Sequence, residues 1–166
     1  MQLGLLIRPL LATVAFVVAA AVAGAVERPV SAVSWDATLS DAHRVANRHA
    51  DLQVLRIAGS SMLPFFGEGS VVIVKRIESL HLRAGMVVVY QNRFGETVAH
   101  RLISQGAQGW MAQGYNNQEV DSTPVTDANL VGVVYATFHS SGVPSALGPI
   151  AALNAGTPVA LAAPAR

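Results

Sequence analysis

Thr97-Val98-Ala99-His100-Arg101-Leu102-Ile103 is a run of apolar and β-branched residues around one histidine and one arginine. Successive side chains of a strand point to opposite faces. Val98, His100 and Leu102 therefore share one face, and Ala99, Arg101 and Ile103 the other. Similar runs stand at residues 53–57, 71–74, 86–90 and 130–138, and each predicts a strand. Turn-forming residues separate them: Gly67-Glu68-Gly69, Asn92-Arg93-Phe94-Gly95, Gly114-Tyr115-Asn116-Asn117 and Pro124. The Asn92 to Gly95 stretch predicts a hairpin loop. Short strands with frequent turns predict a mostly β fold, with one compact domain over residues 52–139.

On the N-terminal side, residues 27–51 read as a linker and a short helix. The helix is expected from Thr38 to about Ala50, capped by Thr38 or Ser40, with Leu39, Ala42 and Ala46 on one face. Residues 9–26, PLLATVAFVVAAAVAGAV, carry no charge and lie between Arg8 and Glu27-Arg28. Their length is at the lower edge for a bilayer-spanning helix. Ala23-Gly24-Ala25 also makes a signal-peptide cleavage site. Residues 1–26 are thus expected to be a transmembrane anchor or a cleaved signal peptide, with the anchor favoured. The domain would then lie on the extracytoplasmic side, membrane-anchored or secreted. Residues 140–166 form an Ala/Pro-rich tail in which Pro144, Pro149, Pro158 and Pro164 oppose a straight helix.

The 166 residues suit one domain plus a targeting segment. Hydrophobic residues make up 52% and charged residues 13%, with a formal net charge of +1. Nothing in that charge points to nucleic acid. The absence of cysteine excludes a disulfide scaffold, a thiolate nucleophile and a cysteine zinc site. His43 and His49 lack metal-ligand spacing, so no metal or organic cofactor is expected.

Three stretches carry chemistry. In Gly59-Ser60-Ser61-Met62-Leu63-Pro64, small residues turn the chain after a strand and Pro64 fixes the backbone. A serine at such a turn offers its hydroxyl beside free N–H groups that suit an oxyanion. A serine hydroxyl needs a base to become nucleophilic, and the neutral imidazole of His100 is one near pH 7. The third stretch runs from Gly114 through Asn116 and Asn117 to Asp121 and Ser122. Asp121 could accept the other ring N–H of a histidine and orient it. Taken one at a time, each stretch reads more readily as ordinary turn, strand or loop.

Their order resembles the type I signal peptidases. Ser61-Met62-Leu63-Pro64 is similar to the second half of that family's nucleophile box, with Gly59, Ser60, Met62 and Pro64 as turn and oxyanion support. Gly69-Ser70-Val71-Val72-Ile73-Val74 and Gly85-Met86-Val87-Val88-Val89 resemble its two Gly-Asp-x-Val strands. His100-Arg101-Leu102 is similar to the endoplasmic-reticulum and archaeal form, in which histidine replaces a lysine base. Gly114-Tyr115-Asn116 with Asp121-Ser122 resembles the late box, where Asn116, Asn117 and Ser122 would give support. Asp127-Ala128-Asn129-Leu130-Val131-Gly132 is similar to the closing strand. The resemblance covers about residues 59–134. It implies a signal-peptidase-like β domain and a membrane-associated serine endopeptidase with Ser61, His100 and Asp121 as catalytic residues. Exported preproteins cleaved after small residues would be its substrates, the membrane would be met through residues 9–26, and no cofactor would be needed.

The single lysine, Lys75, stands only 14 residues after Ser61, where the family has no base. Ser70, Met86 and Tyr115 replace aspartates, and Gly59 replaces a serine thought to serve the oxyanion hole. Two other readings follow. One is a peptidase of the same fold with a dedicated substrate; the self-cleaving domain of SOS-type repressors has a similar core, but normally with a DNA-binding segment and a lysine base. The other is an inactive exported β domain that binds peptides.

Overall fold

The computed structural model describes residues 26–142. The expected anchor or signal, apart from Val26, lies outside the described residues, as does the tail beyond Gly142. Among the described residues, no helix is long and apolar enough to cross a membrane.

Among the described residues, six strands, β1 (Leu52–Arg56), β2 (Val71–Lys75), β3 (Val87–Gln91), β4 (Thr97–Gly106), β5 (Gly109–Gln113) and β6 (Leu130–Phe138), form one sheet. Every neighbouring pair is antiparallel, in the order β1-β2-β6-β3-β4-β5. The helix α1 (Trp35–Ala46) lies against β1 and β2.

The uninterrupted Val-Val-Ile-Val of β2 is what a strand covered on both faces needs. All four residues are fully buried. Val71 and Ile73 pack toward α1 with Ala42, Ala46, Leu52 and Val54. Val72 and Val74 pack on the other face with Leu55, Ile57, Val89 and Ala99. Each such side chain contributes about 1.5–3 kcal/mol by leaving water. A third cluster joins Leu82, Val88, Tyr90, Leu102, Ala112 and Val125 under β3, β4 and β5.

The helix begins three residues before the expected Thr38. Ser34 is its N-cap, with Oγ accepting from the Ala37 N–H at 3.4 Å, and Asp36 complements the dipole in the first turn. Thr38 is instead buried inside the helix, where its hydroxyl donates to the His139 carbonyl at 3.4 Å. Ser40 also lies within it. The helix stops at Ala46, not Ala50, because the chain tightens into turns that lead to β1.

The β3–β4 hairpin forms around Asn92 to Gly95 as the sequence predicts. Asn92 Oδ1 accepts from the N–H groups of Phe94 at 2.9 Å and Glu96 at 3.0 Å. Strand β5 is absent from the sequence reading, since Gly-Trp-Met-Ala-Gln holds no β-branched residue. The signal for it lies in its turn: Gly106 pairs with Gly109 around a two-residue loop.

Candidate active site

Ser61 stands on the turn that follows β1. Gly59 opens this turn with φ +87°, a left-handed conformation that strains any residue with a Cβ. That explains glycine where the signal peptidases often carry serine: a serine would have room but a strained backbone. Buried Met62 and Phe66 anchor the loop. Ser60 and Pro64 are exposed, so the Ser60 contribution comes from its carbonyl, which accepts from Leu63 N–H at 3.1 Å. The Ser61 amide makes no backbone hydrogen bond among the described residues and is free to meet an oxyanion.

The late box closes on this loop. The Asn116 N–H donates to the Ser61 carbonyl at 2.8 Å, and its side-chain amide to the Ser60 carbonyl at 3.2 Å. Gly114 makes the approach possible, because a Cβ there would lie 2.6 Å from the Ser61 carbonyl oxygen. Asn117 closes its own turn, donating from its N–H to the Gly114 carbonyl at 3.1 Å. Ser122, expected to support the site, is exposed and makes no side-chain hydrogen bond among the described residues. It is not part of the constellation, because its side chain faces solvent.

His100 sits on β4 opposite Val88 of β3 and is 7% exposed. Its Nε2 is 3.0 Å from Ser61 Oγ, and its Nδ1 is 2.6 Å from Asp121 Oδ2. Asp121 is held at the free edge of β5 by its own N–H, which donates to the Ala112 carbonyl at 2.8 Å. A carboxylate only accepts hydrogen bonds. Nδ1 therefore carries the ring proton and donates to Asp121, and Nε2 presents its lone pair to the Ser61 hydroxyl. The three residues singled out on separate stretches of sequence thus form one hydrogen-bonded chain.

Sequence reasoning missed a fourth member. The Tyr90 hydroxyl donates to Asp121 Oδ2 at 2.6 Å. Tyr90 is fully buried. Burial first, then the hydrogen bond and charge of Asp121, push its phenol far above the ordinary range. Its hydroxyl is therefore the donor in its bond to Asp121. The available signal is register: Val88 pairs with His100, so Tyr90, two residues on, lies on the same face.

Lys75 takes no part. It is half-exposed and faces Asp51 at 3.8 Å. His43, His49 and His81 are exposed on other elements. The replaced aspartates have local roles. Ser70 Oγ accepts from Gly67 N–H at 3.2 Å and closes the turn before β2. Met86 packs against the third core cluster. The Tyr115 ring lies 4.3 Å from that of Phe65, with the Arg101 guanidinium 4.3 Å from its centroid.

A cleft of about 110 Å³ opens beside Ser61 and His100, with walls that include Leu55, Ile57, Val89 and Ala99. Such a site has an apolar wall for a side chain, a hydroxyl beside a base, and a free amide. Residues 15–135 match the family described as Peptidase S24-like. No curated protein matches the chain significantly. The family match spans most of the chain and takes in Ser61, His100 and Asp121, so the protein belongs to the Peptidase S24-like family, a family of serine peptidases.

Proposed function

We propose that the protein is a membrane-associated serine endopeptidase that cleaves exported preproteins after small residues, with Ser61 as nucleophile, His100 as general base and Asp121 orienting the imidazole. The observation that carries this reading is the continuous Ser61–His100–Asp121 chain at 3.0 and 2.6 Å. Such geometry lets one imidazole serve as base and then as acid.

Ser61 Oγ attacks the peptide carbonyl carbon while its proton passes to His100 Nε2. The carbonyl π electrons move onto oxygen, which the Ser61 N–H meets. Collapse breaks the C–N bond, and the imidazolium gives its proton to the leaving amine. Water, deprotonated by the same histidine, then releases the acyl group. The small volume of the cleft, about 110 Å³, with Leu55, Ile57, Val89 and Ala99 among its walls, favours a small side chain on the acyl side. With Gly59 lacking a hydroxyl, the oxyanion rests on backbone N–H, and one missing donor costs about 10²–10³ in rate. The uncharged run at residues 9–26 supports a site held at a membrane surface.

The test is cleavage of a model preprotein by detergent-solubilised protein, with wild type, Ser61→Ala and His100→Ala side by side. Cleavage after a small residue, abolished in both variants, is the expected result. Equal turnover by Ser61→Ala would remove Ser61 from the mechanism. A second reading keeps the same site and gives it one dedicated protein substrate. In that case the general preprotein resists cleavage while Ser61 still reacts with a serine-directed probe.

A further inference from the structure

We infer that Tyr90 is a positioning residue of the site, whose hydroxyl holds Asp121 in place and sets how strongly that carboxylate favours a charged His100. The inference deepens the reading of Ser61, His100 and Asp121 given above and rests on it. The Tyr90 hydroxyl makes no hydrogen bond to Ser61 among the described residues, and Tyr90 does not line the cleft; it acts through Asp121.

Both donors converge on one atom. Asp121 Oδ2 accepts from His100 Nδ1 and from the Tyr90 hydroxyl, each at 2.6 Å. The Tyr90 ring is locked in the cluster with Val88, Leu102 and Ala112, so its hydroxyl has a fixed direction. The Asp121 backbone is fixed independently through Ala112. Two rigid supports thus leave the carboxylate one orientation, with Oδ2 toward the imidazole. Bonds of this kind, a neutral donor to a charged oxygen, are among the stronger ones.

The second donor also draws charge from Oδ2. A carboxylate oxygen shared between two donors stabilises an imidazolium less than one that serves His100 alone. Removal of the hydroxyl should therefore favour protonated His100 and move its titration to higher pH. The groups facing the imidazole are Tyr90 from β3, Asp121 beyond β5 and Ser61 from the turn. Arg56, at the end of β1, lines the same cleft and is itself largely buried, and Arg101 projects from the opposite face of β4. None of these other groups changes when Tyr90 becomes Phe.

The test follows the imidazole C–H resonances of His100 by NMR across pH in the full-length protein. Wild type, Tyr90→Phe, Asp121→Asn and the double variant are compared. Tyr90→Phe keeps the ring in its core and removes only the oxygen. The inference predicts a midpoint moved upward by Tyr90→Phe in the Asp121 background and no such movement in the Asp121→Asn background, because the effect passes through the carboxylate. An unchanged midpoint, or the same change in both backgrounds, would overturn it. Where turnover is measured, Tyr90→Phe should lower kcat by about 10- to 100-fold, with KM little changed and the acid limb moved to higher pH. An upward midpoint in a protein that cleaves no peptide would uphold the role of Tyr90 and sink the peptidase reading alone.

Discussion

The two halves of the sheet share one antiparallel ladder and bury very different material. In β1, β2 and β6, with α1 over one face, the core is a stack of aliphatic side chains in which Val71, Val72, Ile73 and Val74 are all inaccessible to water. In β3, β4 and β5, the core holds Tyr90 and His100, and their polar atoms meet only through Asp121. The first half draws stability from burial summed over many contacts. The second draws function from a few bonds, each of which leaves a buried polar group stranded when its partner is removed. Loss of a methylene should therefore weaken the first half in proportion, whereas loss of one atom should disable the second while leaving it folded.

Asp121→Asn tests that contrast with the largest expected effect beyond the removal of Ser61 or His100. The amide favours the wrong imidazole tautomer, so kcat should fall by about 10³–10⁴-fold with an unchanged circular dichroism spectrum. A fall of less than tenfold would show that the carboxylate does not orient His100. Ile73→Ala probes the other half. It should lower the unfolding free energy by about 2–5 kcal/mol, measured by urea denaturation, and leave kcat nearly intact at temperatures where the variant is folded. A large loss of kcat in the folded variant would erase the distinction between the halves. Ser34→Ala should cost about 1 kcal/mol through the lost cap on α1, again without a change in kcat.

The smallest effect concerns a polar group at the margin of the apolar half. Burial, and then the charge of Arg28, hold the His139 imidazole below its usual range, and its buried Nδ1 has no hydrogen-bond partner among the described residues. The folded state thus binds this proton less readily than the unfolded chain. The stability it contributes is present above the ordinary histidine range and is lost as pH falls through that range. His139→Gln should flatten the decline in melting temperature between about pH 7 and pH 5 relative to wild type. A slope equal to that of wild type would show that His139 is uncoupled from folding.

Legibility in the sequence follows the same division. Apolar runs announce strands, so β2, β3, β4 and β6 stand close to where residues 71–74, 86–90, 97–103 and 130–138 place them. Strand β5 carries no such run, and only its two-glycine turn marks it. The cap of α1 is Ser34 and not Thr38 or Ser40, because Trp35, at the first helical position, stacks with Arg56 of β1 at 4.6 Å. That contact is invisible until the sheet exists. Ser61, His100 and Asp121 were legible as a set only through the ordered boxes. Tyr90 was not, since its role depends on the register of β3 against β4 and on the return of Asp121 along β5. The departures at Gly59, Ser70 and Tyr115, which read as losses in the sequence, have local structural uses: a left-handed turn, a turn-closing hydroxyl and an aromatic contact.

The most direct measurement of the central claim is the reaction of the full-length protein with a fluorophosphonate probe, with the adduct located by mass spectrometry. The account predicts a single adduct on Ser61, formed at neutral pH and lost in His100→Ala. An adduct on another serine, or Ser61 labelling at an equal rate in His100→Ala, would contradict it.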